Sequence, residues 1–330
     1  MAGGQTYFAP CSEGSRAVQS CTVRPLIHEI TTAHTPESLA TRLTDSSARG
    51  LVVLRSAGFD SAQARYSFVA ANPFLTFRSS GSRCEITRPQ TPDPIPQTQF
   101  GNPWHLLDAL MSRYELLDEI DLPFPLGGCF GYWGYDLKNF TEPKLARRAV
   151  NDLELPDCHV GFYDSLVVFD HRLGKTNIVA TGLGADGSRT ETRASEQLQF
   201  WKTTLQQDLP QRLRDTEEKT SASLRLCASV AKTGSNLTRE EFISKVIRAQ
   251  RYIRAGDIYQ VNLSQRLAAQ TSFTGWELYE RLLAVSPAPF AAFFDCGNFE
   301  IASSSAEIAR CTSFLTMSSY SCLTRLMISL

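Results

Sequence analysis

The chain has 330 residues, 42% of them hydrophobic and 20% charged, which is the composition of a folded globular protein with a sizeable core and excludes a disordered one. Thirty-three basic against 34 acidic residues leave a net charge of −1, so nothing points to nucleic acid or an anionic membrane as partner. Nine cysteines without a CxxC pair read as free thiols in a reducing compartment. No basic stretch followed by an apolar one opens the chain, and cytoplasmic residence is the expectation.

From Gly50 to Phe77 the pattern is strand-like. Leu51–Leu54 forms an apolar run, a Gly58–Asp60 turn follows, and Tyr66, Phe68 and Ala70 alternate with their neighbours up to Asn72-Pro73. Arg88–Gln99, with four prolines, reads as an exposed loop. Trp104–Leu117 carries Leu106, Leu107, Leu110, Met111 and Tyr114 on one helical face. The aromatic stretch after it holds Gly127, Gly128, Gly131 and Gly134. It lacks both the P-loop lysine and the dinucleotide-binding spacing, and is read as backbone packed closely on backbone.

Leu166–Phe169 and Asn177–Ala180 read as strands joined by an Asp170–Lys175 turn, and Arg189–Glu217 is polar and helix-permissive. Thr238 and Glu241 form a capping box opening a helix with Ile243, Val246, Ile247 and Ile253 in register and Gly256 just past its end. A strand is expected from Ile258 to Leu267, a short helix over Gly275–Leu283, and strands over Phe290–Phe294 and Phe299–Ser304, the last leading to Glu307.

These segments together resemble component I of the anthranilate synthase and aminodeoxychorismate synthase family. The residues that carry the resemblance are Leu54-Arg55-Ser56, Arg65-Tyr66-Ser67-Phe68 and Asn72-Pro73, then Gly127 to Asp136 and Leu155-Pro156-Asp157. The most specific run is Ala255-Gly256-Asp257-Ile258-Tyr259-Gln260-Val261-Asn262-Leu263-Ser264-Gln265-Arg266; Pro287 to Phe293 and Ser304-Ser305-Ala306-Glu307 complete the series. Asn262 resembles the aminodeoxychorismate branch; anthranilate synthase component I and a non-catalytic fragment binding tryptophan or a glutaminase subunit are the alternatives.

The resemblance implies an α/β (α+β) fold, an antiparallel β-sandwich of intertwined subdomains flanked by helices, with the C-terminal half incomplete. It divides the chain into an N-terminal region (1–225), the start of a chorismate-binding domain (226–310) and an aberrant Ser/Thr-rich tail (311–330), expected to pack poorly. The implied reaction replaces the 4-hydroxyl of chorismate with ammonia from a glutamine amidotransferase subunit, with Mg²⁺ on the ring carboxylate. Glu307 matches the family's proton-handling glutamate. The family's lysine motif and metal-binding glutamates have no match here, so the chain on its own is expected to be inactive.

The resemblance also implies a tryptophan site built from Ser56, Gln63, Ala64, Arg65 and Tyr66 with Pro289, Phe290 and Ala291. Arg55 stands where feedback-regulated relatives have a glutamate. On that basis its positive charge is expected to weaken the hold on the amino group, and Arg55→Glu to restore it.

Overall fold

A computed structural model describes residues 23–305, apart from 47, 58–63, 91–93, 117–120, 146–151, 207–233 and 287, together with the backbone of 311–317 and 323–329. In chain order the elements are β1 (Leu26–Ile30), α1 (Pro36–Thr44), β2 (Val52–Ser56), β3 (Tyr66–Ala70), β4 (Leu75–Ser80), β5 (Arg83–Thr87), β6 (Gln97–Phe100) and α2 (Pro103–Arg113). They continue with β7 (Gly128–Trp133), α3 (Lys138–Thr141), β8 (Cys158–Tyr163), β9 (Ser165–Asp170), β10 (Lys175–Ala180) and α4 (Glu191–Gln206). The remainder are β11 (Gly234–Ser235), α5 (Arg239–Ala255), β12 (Ser264–Gln270), α6 (Gly275–Val285), β13 (Phe290–Asp295), β14 (Phe299–Ser305), β15 (Cys311–Met317) and β16 (Leu323–Ser329).

The strands form an 11-stranded sheet, ordered β1-β10-β9-β3-β2-β13-β14-β15-β16-β12-β11, and a 5-stranded sheet, ordered β6-β5-β4-β8-β7. The strand pairs are antiparallel, and the α/β fold with antiparallel sheets is the one expected. The large sheet takes strands from all three segments of the chain: β13 inserts beside β2, with Phe290 opposite Ser56.

Alternation along the strands separates the three larger cores among the described residues. Val53, Val69, Val167, Phe169 and Phe293 of the large sheet face Leu39, Trp201, Trp276 and Tyr279 of α1, α4 and α6. On the opposite face Val52, Ala70, Leu166 and Val168 meet Tyr163 and Phe130 of the small sheet. The outer face of the small sheet, through Phe77, Val160 and Phe162, is covered by Leu107 and Tyr114 of α2 and the turn after it. The layers are therefore helices, large sheet, small sheet, helix.

The glycine-rich stretch behaves as its composition implies. A Cβ on Gly131 would lie 2.1 Å from the carbonyl oxygen of His159, one on Gly134 2.6 Å from that of Asp157, and one on Gly127 2.6 Å from that of Tyr163. Three glycines thus seat β7 and its flanks against the backbone of β8, with Gly131 at φ 155°.

Three boundaries differ from the sequence expectation. α2 stops at Arg113, because Tyr114 turns its ring onto Phe74 and Phe162 and donates its hydroxyl to the Ala185 carbonyl at 2.7 Å. The proline-rich loop ends in β6, an exposed edge strand paired with β5. The strand expected from Ile258 begins only at Ser264, where β16 supplies a partner. Before that point Tyr259 is fully exposed and has no sheet to join.

α5 forms with its capping box and a left-handed Gly256, yet it buries no residue. Ile243, Ile247 and Ile253 stand exposed, because nothing among the described residues covers that face. The tail's backbone is paired on both sides, β15 with β14 and β16 with β12. The expectation that the tail packs poorly and is mostly exposed falls on residues whose burial lies outside the described structure.

His159 of β8 faces the inter-sheet layer, 6.0 Å from the Phe299 ring, and its Nδ1 has no hydrogen-bond partner. Burial, aided by Arg78, pushes the imidazole from 6.5 down to about 4. Above pH 6.5 it is neutral in both folded and unfolded chains. Between pH 6.5 and about 4 only the unfolded chain takes the proton, so stability falls as pH falls through that window. The shift corresponds to about 3 kcal/mol. Urea unfolding at pH 7 and pH 4.5 should show a smaller pH difference for His159→Phe than for the parent.

Candidate functional site

The residues named for an amino-acid site converge on one end of the β2–β3–β13 ribbon. Ser56 closes β2 and is buried; its hydroxyl donates to the Tyr66 carbonyl at 2.7 Å, and its amide donates to Ser67 Oγ at 2.9 Å. The Ala57 amide donates to the Pro289 carbonyl at 3.0 Å, which ties the entry to β13 to the exit from β2. Ala64 is buried ahead of β3. Arg65 makes a forked ion pair with Asp170, with contacts of 3.0 and 2.6 Å, and its guanidinium sits 4.7 Å from the centre of the Tyr66 ring.

The Tyr66 ring lies edge-on to Phe124 at 5.8 Å, and its buried hydroxyl has no hydrogen-bond partner in good geometry. Burial and the nearby Asp170 carboxylate raise that phenol's pKa, so it stays protonated and able to donate. Phe290, opposite Ser56, is exposed. An aromatic wall, a free phenol and backbone groups at a sheet end suit a flat ligand with a polar head.

Two of the expected contributions fail on strand geometry. Ala291 alternates away from Phe290 and is buried in the helix-side core, so its side chain does not line the site. Arg55 likewise alternates away from Ser56; its guanidinium bonds the Glu37 carboxylate in the first turn of α1. The charge-reversal argument is therefore corrected. Arg55→Glu would set a carboxylate against Glu37 on the far face and would not restore a grip on an ammonium. Gln63 and Glu307 lie outside the described residues.

The helix side holds a polar group that the sequence did not reveal. Ser67 Oγ lies 2.6 Å from His171 Nε2. Burial lowers the His171 pKa, with Glu37 raising it and Arg55 lowering it in turn. The Tyr279 hydroxyl, also on this side, is buried without a partner. Period-two alternation from Val53 and Val69 would have put Arg55 and Ser67 on this face; Glu37 and Tyr279 come from elements whose docking no local pattern reports.

Four cysteines among the described residues, Cys84, Cys129, Cys158 and Cys296, are free. Burial raises all four thiols, Cys129 and Cys158 to about 12, so none of them is a nucleophile. Among the described residues no group of three or more His, Cys, Asp or Glu side chains comes together to hold a metal. The Mg²⁺ set implied by the resemblance is thus not formed by them. Among these residues no helix is long and apolar enough to cross a membrane.

The family model described as chorismate binding enzyme matches residues 56–324. The chain belongs to the chorismate-binding enzymes. Among relatives in the family, anthranilate synthase component 1 of Acetivibrio thermocellus is 31% identical over 83% of this chain and 54% of its own length. Aminodeoxychorismate synthase component 1 of Escherichia coli K12 is 30% identical over 78% of this chain and 50% of its own. The chain therefore spans about half the length of the curated relatives it matches. A crystal structure of anthranilate synthase component I from Streptococcus pneumoniae TIGR4 superposes with a TM-score of 0.56, covering 79% of this chain and 55% of that one. At 24% identity that likeness shows the fold.

Proposed function

We propose that this chain supplies part of an enzyme that replaces the 4-hydroxyl of chorismate with ammonia, on the aminodeoxychorismate branch leading to p-aminobenzoate and folate. The observation that carries it is the chorismate-binding match over 56–324, with the run from Ala255 to Arg266 inside it. Asn262 favours the branch.

Ammonia would come from a separate glutamine amidotransferase subunit in the cytoplasm. Glu307 would deliver the proton to the departing hydroxyl, since a poor leaving group needs an acid. The anthranilate synthase reading stays beside this one because relatives of that activity match at 31% and 30% identity.

Joining codons 1–307 to each of the three downstream reading frames and assaying every product with chorismate, ammonia and Mg²⁺ tests the proposal. p-Aminobenzoate after addition of a lyase supports it, anthranilate favours the second reading, and no amination from any frame overturns both. The 330-residue chain and its Glu307→Gln variant should be equally inactive.

The site at Ser56, Tyr66, Pro289 and Phe290 would take tryptophan, its indole against the rings and its head at the free Tyr66 hydroxyl. Calorimetry should show Phe290→Ser weakening binding at least tenfold, a loss of about 1.4 kcal/mol or more. Arg55→Glu should not improve it. A tighter Arg55→Glu variant would return the ammonium to β2, and an unaffected Phe290→Ser would move the pocket elsewhere.

A further inference from the structure

A cavity of about 490 Å³ opens between the C-terminal half of α2 and the start of β7, apart from the site just described. Its volume lies in the range of small-molecule sites, about 300–1,000 Å³. Three rings pack edge-to-tilted at its back: Phe74 on Tyr114 at 5.1 Å, Tyr114 on Phe162 at 5.7 Å and Phe74 on Phe162 at 6.2 Å.

The hydroxyls at the back are spent inside the protein. Tyr114 donates to Ala185 at 2.7 Å, Tyr163 to Gly50 at 2.7 Å and Thr181 to Asp164 at 2.9 Å. The interior therefore offers ring faces and apolar walls to a guest. At its wall a Cβ on Gly127 would lie 2.6 Å from the Tyr163 carbonyl oxygen, and a Cβ on Gly128 would meet nothing within 4 Å. Cys129, with its thiol raised to about 12, stays neutral there, so the cavity binds and does no thiolate chemistry.

The charged side chains among the lining residues are both acidic. Asp108 and Glu115 line the opening and are both exposed. The neighbouring cations are engaged with the protein: Arg113 donates to the Asp186 carbonyl at 3.0 Å with its guanidinium 5.5 Å from the centre of the Tyr114 ring, and Arg189 and Arg193 donate to the Thr181 and Leu183 carbonyls. An apolar back and an anionic rim select a guest with a flat hydrophobic body and a positive end, and they disfavour a dicarboxylate such as chorismate. We infer that this cavity binds a small aromatic amine, ring inward and ammonium at Asp108 and Glu115.

The test uses three probes on one skeleton with the whole chain: 2-naphthylmethylamine, 2-naphthalenemethanol and 2-naphthoate, each titrated by calorimetry. The amine should bind at least tenfold tighter than the carboxylate, with the alcohol between. Asp108→Asn with Glu115→Gln should bring amine and alcohol to the same affinity while the alcohol is unchanged. Ser112→Trp, at an exposed helix position, should close the mouth to all three; circular dichroism confirms that each variant is folded. Equal binding of the three probes, no binding of the amine, or retained binding in Ser112→Trp would each overturn the assignment.

Discussion

Gly131→Ala should unfold the small sheet or destabilise the chain by more than about 3 kcal/mol, a loss on the scale of forced overpacking with backbone strain. The added Cβ would sit 2.1 Å from the His159 carbonyl oxygen and 2.6 Å from the Val160 Cα, both backbone atoms that cannot swing aside. Gly131 also holds φ 155°, a conformation that L side chains rarely adopt. The contact lies in the middle of the β7–β8 pairing, with Gly131 opposite Val160, so relief requires the strands to part. Gly81 serves as the control: it too has positive φ, but a Cβ there meets nothing within 4 Å. Urea denaturation of the two alanine variants measures the difference. If Gly131→Ala costs no more than Gly81→Ala, close backbone approach is not what fixes glycine in β7.

Arg193→Ala should cost about 3–5 kcal/mol at neutral pH, the loss typical of stranding one member of a buried ion pair. Asp164 lies 2% exposed at the corner between β8 and β9, and Arg193 of α4 reaches its Oδ2 at 2.8 Å. The same guanidinium donates to the Leu183 carbonyl at 2.8 Å and to Gln90 at 3.0 Å, so one side chain ties α4 to both sheets. Burial raises the Asp164 pKa even with Arg193 attracting its charge. A carboxylate raised in the folded state weakens folding as pH climbs above its unfolded value. Removing the arginine raises it further, so the variant should lose more stability at pH 7 than at pH 4. Asp164→Asn in the Arg193→Ala background should recover part of the loss. An equal loss at both pH values would assign the effect to packing and neutral hydrogen bonds.

Much of the local structure was legible in the sequence because its causes are local. The capping box of Thr238 and Glu241, the left-handed Gly256, the alternation of Tyr66 to Ala70 and the apolar runs at Leu166 and Ile178 each report a neighbour a few residues away. The glycine cluster told correctly that backbones meet, and the family resemblance pointed to the chorismate-binding family and the antiparallel α/β fold. The motifs also named Ser56, Tyr66 and Phe290, which the fold brings to one end of the β2–β3–β13 ribbon.

Tertiary structure decided which faces those residues present and which distant segments meet. β13 inserts beside β2 across more than two hundred residues, and that register sends Ser56 and Phe290 one way and Arg55 and Ala291 the other. A motif specifies residue types in order, but a pleated strand turns successive side chains to opposite sides, so adjacency in a motif is not adjacency in a site. The same cause hid the Glu37–Arg55 pair, the Ser67–His171 contact and the aromatic cavity, each built by elements whose docking depends on long-range burial.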